Sequence, residues 1–214
     1  MKDNLTELVF ILDRSGSMQE LVGDTIGGFN SLVEKQRGEK GECVVSTVLF
    51  DNVSYVLHDR VPLTSIEPMT RKDYVPQGCT ALTDAIGKAV KHIGNVHKYA
   101  RDEDVPAHTM FVIMTDGMEN ASRFYTADKV RKMIERQKER FGWEFIFIGA
   151  NIDAVETAEN FGIAPDRAVE YLADANGTAA VFGAACEVID EFRVGKRISN
   201  KWRKTIENDT KARR

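Results

Sequence analysis

Two apolar runs in this chain each stop at an aspartate, and that pattern restricts the fold more than anything else in the sequence. Leu5 to Leu12 (LTELVFIL) ends in the continuous apolar run Leu8–Leu12 and stops at Asp13, and His108 to Thr115 (HTMFVIMT) ends at Asp116. Continuous apolar stretches of this length read as strands buried on both faces, the pattern of a parallel sheet covered by helices. Glu144 to Ile148 (EFIFI) is a third such run and is expected to stop at Gly149. Between the runs lie segments of helical period: Glu20 to Arg37, Leu82 to Val96, and a charged helix from Thr126 to Arg140. Asp153 to Phe161 reads as a short helix with Gly162 as its stop, Ala168 to Leu172 as a last strand, and Gly177 to Phe192 as a last helix.

Cys43 to Phe50 and Val53 to Val61 flank the turn pair Asp51-Asn52 and read as a hairpin, which places one antiparallel strand at a sheet edge. Pro62 to Gly78 carries three prolines and reads as irregular, with at most a short helical turn. Strands alternating with helices predict an α/β fold, a doubly wound, Rossmann-like, mostly parallel sheet with that one antiparallel edge strand. Ligands on such sheets bind beyond the carboxyl ends of the strands, where the strand order reverses. Asp13 and Asp116 both occupy strand ends of that kind.

Charge divides the chain into two parts. Residues 193–214 hold nine basic and two acidic side chains, whereas the rest holds 20 basic and 31 acidic. The expected organisation is therefore a domain over 1–192 and a basic tail over 193–214. No apolar run approaches the ~20 residues of a membrane helix, and the first residues lack the pattern of a signal peptide, so a cytoplasmic protein is expected. The three cysteines have no paired spacing, which fits a reducing compartment. Cys43 and Cys186 lie in apolar segments and are expected in the core.

The chemistry concentrates in three places. Asp13-Arg14-Ser15-Gly16-Ser17 sets a carboxylate and two hydroxyls at alternate positions of a strand-to-helix turn. Thr80 stands before a helix, in GCTALTDAI, and Asp116 closes the second strand, in MTDG. Neighbouring strands about 4.8 Å apart would bring the two carboxylates together, and a cation between them relieves their repulsion. All five donors (Asp13, Ser15, Ser17, Thr80 and Asp116) are hard oxygens. That favours Mg²⁺, with Ca²⁺ or Mn²⁺ as alternatives, over zinc or copper. Structural roles compete for some of these residues. Ser17 with Glu20 matches a capping box, Thr80 a helix cap, and Asp116-Gly117 an ordinary turn.

These segments resemble the von Willebrand factor type A (VWA) domain family. DRSGS at 13–17 matches its Asp-x-Ser-x-Ser signature, and Thr80 and Asp116 match the other two positions of its metal-ion-dependent adhesion site. The resemblance runs from about Leu5 to Tyr171. Cys79 stands where the family often has glycine. The resemblance implies that Ser15, Ser17 and Thr80 ligate the cation directly or through water, with the aspartates ligating directly or holding waters. It also implies one open position that accepts an Asp or Glu from a partner protein. Stand-alone intracellular members of this size resemble bacterial or phage accessory proteins that act with separate enzymes.

An enzyme is not expected. A phosphotransferase using Asp13 as nucleophile would want a second carboxylate at position 15, where Ser15 stands. The histidines at 58, 92, 97 and 108 sit in no nucleophile motif, and no Gly-Lys-Ser/Thr or GxGxxG loop is present. The basic tail with Trp202 offers the alternative of nucleic-acid binding through phosphate contacts and stacking. A solvated or docked extension is the simpler expectation.

Overall fold

A computed structural model describes residues 1–213; Arg214, the last residue of the basic stretch, lies outside the described residues. Six strands form one sheet: β1 (Lys2–Asp13), β2 (Glu42–Phe50), β3 (Ser54–Pro62), β4 (Pro106–Thr115), β5 (Glu144–Ala150) and β6 (Ala168–Tyr171). Their order is β3-β2-β1-β4-β5-β6, parallel throughout except for the β2–β3 hairpin at one edge. The strand order reverses between β1 and β4, the two runs that end in aspartate. The expected doubly wound sheet with one antiparallel edge strand is what the chain forms.

Alternation along β1 builds the two halves of the core. Leu8, Phe10 and Leu12 face one layer with Phe29, Phe182 and Ile189, while Val9 and Ile11 face the other with Ile86, Val130 and Phe147. The first layer is made by α1 (Val22–Arg37), α5 (Ala175–Arg193) and α6 (Lys201–Arg213), the second by α2 (Leu82–Tyr99), α3 (Ala127–Phe141) and α4 (Ala154–Asn160).

Three local differences from the expectations have clear causes. The helix expected from Glu20 starts instead as a 3-10 turn over Gly16–Leu21, and α1 proper begins at Val22. Gly149 does not stop β5, which continues to Ala150; the missing side chain admits Ile152 and Ala154 against the strand, where a Cβ would lie 2.8 Å from Ile152 Cδ1. The charged loop at 101–104 contains a 3-10 turn over Asp102–Asp104.

Within the segment 193–213, α6 packs on the body with Trp202 and Ile206 buried, and Arg213 pairs with Asp174 and Asp209. Arg193 donates to the carbonyls of Gln36 and Gly41. Apolar contact and ion pairs therefore hold a segment that looks, by charge alone, like a free tail. No helix among the described residues is long and apolar enough to cross a membrane.

One buried charge has no counterpart in the sequence patterning. Glu7 on β1 is fully buried and meets Arg60 Nε at 2.8 Å and His97 Nε2 at 2.5 Å. Arg60 reaches it from a disturbed stretch of β3, where its φ is +52°.

Candidate metal centre

Parallel pairing of β1 with β4 runs as far as Leu12 opposite Met114, which sets Asp13 beside Thr115 at the carboxyl edge of the sheet. Asp13 is almost wholly buried, and each of its carboxylate oxygens has a partner. Oδ1 accepts from the Ser15 amide at 2.7 Å, closing the turn after the strand, and Oδ2 accepts from the Thr115 hydroxyl at 2.5 Å. Its carbonyl accepts from the Tyr74 hydroxyl, itself buried. Both the strand end and the side-chain rotamer are thus fixed from outside the DRSGS motif. Thr115 and Tyr74 are not among the residues the motif singles out.

The serines extend this arrangement to the second carboxylate. Ser17 Oγ donates to Asp116 Oδ1 at 2.7 Å, and Ser15 Oγ lies 3.0 Å from Ser17 Oγ. Because the Ser17 proton is committed to Asp116, Ser15 must be the donor in the serine pair. The lone pairs of Ser15 therefore remain available.

Thr80 enters on a separate loop that is fixed at several points. Its amide donates to Asn120 Oδ1 at 2.9 Å, and its carbonyl accepts from the Asn120 amide at 3.1 Å. Its hydroxyl faces Gly117: a Cβ on that glycine would lie 3.5 Å from Thr80 Oγ1. The loop approaches the β1 turn closely, with Gly16 N donating to Gly78 O at 3.2 Å. Gly78 has φ +65°, and a Cβ there would sit 2.2 Å from Asn52 Oδ1, so glycine is required on both counts. All five residues are thus gathered at the β1–β4 reversal.

The two competing capping roles do not hold. Ser17 lies inside the 3-10 turn and bonds Asp116, and neither that turn nor α2 has a side-chain cap at its start. Glu119 and Asn120, outside the motif, join the β4–α3 loop to α2: Glu119 accepts from the amides of Thr83, Ala121 and Ser122. Asp84 accepts from the amides of Arg123, Phe124 and Tyr125 and folds the far end of the same loop. These hydrogen bonds hold the Glu119 and Asp84 carboxyls below their usual range even though burial works to raise them. Both are spent on the scaffold.

Electrostatics distinguish Asp13 and Asp116 from those two. Burial pushes the Asp13 carboxyl up to about 6, against the hydrogen bonds from Thr115 and Ser15, and the Asp116 charge adds to the rise. Burial also raises Asp116, opposed by Ser17. Neither carboxylate has a basic side chain as a partner among the described residues. Two buried anions that are costly to ionise, with hydroxyl oxygens beside them, fit a small hard cation. No cluster of three or more His, Cys, Asp or Glu is placed to hold a metal among the described residues. A cation here would accordingly depend on hydroxyls and water as much as on carboxylates.

No protein-family model matches this sequence, and no curated protein matches it. Solved structures do resemble it. Proximal thread matrix protein 1 from the mussel byssus, with a zinc-occupied MIDAS motif, is 13% identical with a TM-score of 0.59, over 88% of this chain and 46% of that one. The ArnB paralog VWA2 from Sulfolobus acidocaldarius is 19% identical with a TM-score of 0.50, over 92% and 46%. The manganese-loaded TRAP protein of Plasmodium vivax is 17% identical with a TM-score of 0.54, over 84% and 72%. The chain spans about half the length of the mussel and Sulfolobus proteins. At these identities the likeness shows a shared VWA-like α/β fold.

Proposed function

We propose that this chain is a divalent-cation-dependent protein-binding module, in which Asp13, Ser15, Ser17, Thr80 and Asp116 hold Mg²⁺ and the cation receives an Asp or Glu of a partner protein. The observation that carries the proposal is the pair of buried carboxylates at the strand-order reversal, without a basic partner among the described residues and linked through two serines whose hydroxyls cap no helix. Five oxygen ligands leave one of the six octahedral positions of Mg²⁺ open, and a further carboxylate can take it. Ser17 holds Asp116, the Ser15 amide and Thr115 hold Asp13, and the Asn120 clamp holds Thr80 in place. Two proteins of similar fold, one with a zinc-occupied motif and one loaded with manganese, support a divalent ion at such a site.

A binding role is favoured over serine–histidine catalysis because none of the four histidines contacts Ser15 or Ser17. His58 contacts Thr47, His92 Asp59, His97 Glu7, and His108 the Phe192 ring. Nucleic-acid binding through 193–214 is not part of the proposal: Trp202 is buried and offers no face for stacking, and Arg203 and Arg213 are paired with carboxylates.

The test has two stages. Mg²⁺ raises the thermal midpoint of the protein, and Asp13→Ala abolishes the response. Partner capture from lysate is then compared in Mg²⁺ and in EDTA, with Asp13→Ala as the control. A Mg²⁺ response that survives Asp13→Ala, or capture indifferent to the ion, would refute the proposal.

A further inference from the structure

A second cavity lies at the other end of α2, beyond the amino ends of β4 and β5. It has a volume of about 730 Å³, within the range of sites that enclose small organic ligands. Its origin is partly local. Gly87 and Gly94 sit two helical turns apart on the face of α2 that meets α3, where a larger side chain would collide with Tyr125 or Gln137. At Gly94 the missing side chain leaves room beside Trp143, whose ring is 4.0 Å from the nearest Cβ position.

The lining is divided by chemistry. Val90, Met133 and Trp143 form an apolar wall, and the Trp143 ring is fixed by stacking on Phe111, 5.4 Å between centroids, with His97 against it edge-on at 5.2 Å. Lys91, Lys98 and Arg136 stand around it, all exposed, against the single acidic residue Asp102. None of the three cations has an ion-pair partner among the described residues; Lys98 rests over the Tyr99 ring, 5.1 Å from its centroid. Three unmatched cations beside an aromatic wall complement an anion carried on an apolar body.

We infer that the cavity between α2 and α3 is a binding site for a small amphipathic anion, an aromatic body of one to three rings bearing a carboxylate, sulfonate or phosphate. The rings fill the space beside Trp143 and Met133, and the anionic group meets Lys91, Lys98 and Arg136. The inference is independent of the cation site, since the residues that hold the cation lie at the opposite edge of the sheet.

8-Anilinonaphthalene-1-sulfonate serves as the probe because it has this chemistry and brightens when shielded from water. Titration of the full chain in EDTA, below the onset of its thermal transition, is expected to show saturable binding at one site. Lys91→Glu combined with Arg136→Glu changes two exposed side chains, so the fold is kept, and binding should weaken at least tenfold. The uncharged N-phenyl-1-naphthylamine should bind more weakly than the sulfonate and change less than twofold in the same variant. Absence of saturation below about 1 mM, on the scale of weak ligand binding, equal loss of both probes, or unchanged sulfonate affinity in the variant would each overturn the assignment.

Discussion

Replacing Asp13 with asparagine should stabilise the cation-free protein at neutral pH and destabilise it in acid. The carboxyl is raised from 3.8 to about 6, chiefly by burial. A carboxyl that is harder to ionise in the folded state binds its proton more tightly there than in the unfolded chain. Its cost to stability is therefore absent well below pH ~4, grows as pH rises, and is complete a little above 6. At about 1.36 kcal/mol per tenfold step, the full cost is about 3 kcal/mol. The substituted asparagine carries no charge and escapes this cost, but it has one acceptor oxygen where aspartate has two. The Ser15 amide can keep that oxygen, while Thr115 turns to the Gly117 carbonyl, already 3.2 Å away. The lost hydrogen bond costs about 1 kcal/mol. Asp13→Asn should thus be about 2 kcal/mol more stable than the parent at pH 7.5 in EDTA and about 0.5 kcal/mol less stable at pH 4, where part of the ionisation cost already remains. For a chain of this size that is a rise of roughly 4–8 °C at neutral pH. Thermal melts in EDTA from pH 4 to 8 would measure it. A variant less stable than the parent at every pH, by a constant amount, would refute the reasoning.

Glu7→Ala leaves Arg60 and His97 facing an emptied position, and it should cost about 3 kcal/mol, the low end for a broken buried pair because Arg60 is partly solvated; urea denaturation would measure the loss, and a cost below 1 kcal/mol would show that the pair is dispensable. Gly78→Ala forces an alanine to φ +65° against Asn52, so it should lose about 1–2 kcal/mol and weaken cation binding by loosening the loop that carries Thr80. Calorimetric titration with Mg²⁺ checks the second effect, and an affinity equal to the parent's would count against that coupling.

The legible parts of the fold are those governed by period and by strand-end chemistry. Continuous apolar runs locate β1, β4 and β5, and the Asp51-Asn52 turn locates the antiparallel edge, because burial on both faces leaves a direct trace in residue type. Asp13 and Asp116 are visible as strand-end carboxylates, and their convergence follows once β1 and β4 are neighbours. Side chains that act across long sequence separations are not visible. Thr115 precedes Asp116 and reads as one more strand residue; its bond to Asp13 exists only through the β1–β4 register. Tyr74 lies in a proline-rich stretch with no period at all, and Glu7 interrupts an apolar run with nothing nearby to announce Arg60 or His97. Net charge misrepresents 193–213, since Trp202 and Ile206, one turn apart on α6, carry the packing while the basic residues dominate the composition.

Mn²⁺ titration followed by electron paramagnetic resonance, with water-proton relaxation read on the same samples, tests the central claim most directly. The free-ion signal should fall with a stoichiometry of one in the parent and persist in Asp13→Ala. Bound Mn²⁺ should enhance water relaxation, and acetate at high concentration should reduce that enhancement as a carboxylate takes the exchangeable position. Loss of the Mn²⁺ signal in both proteins alike, or a bound ion with no exchangeable water, would contradict the account.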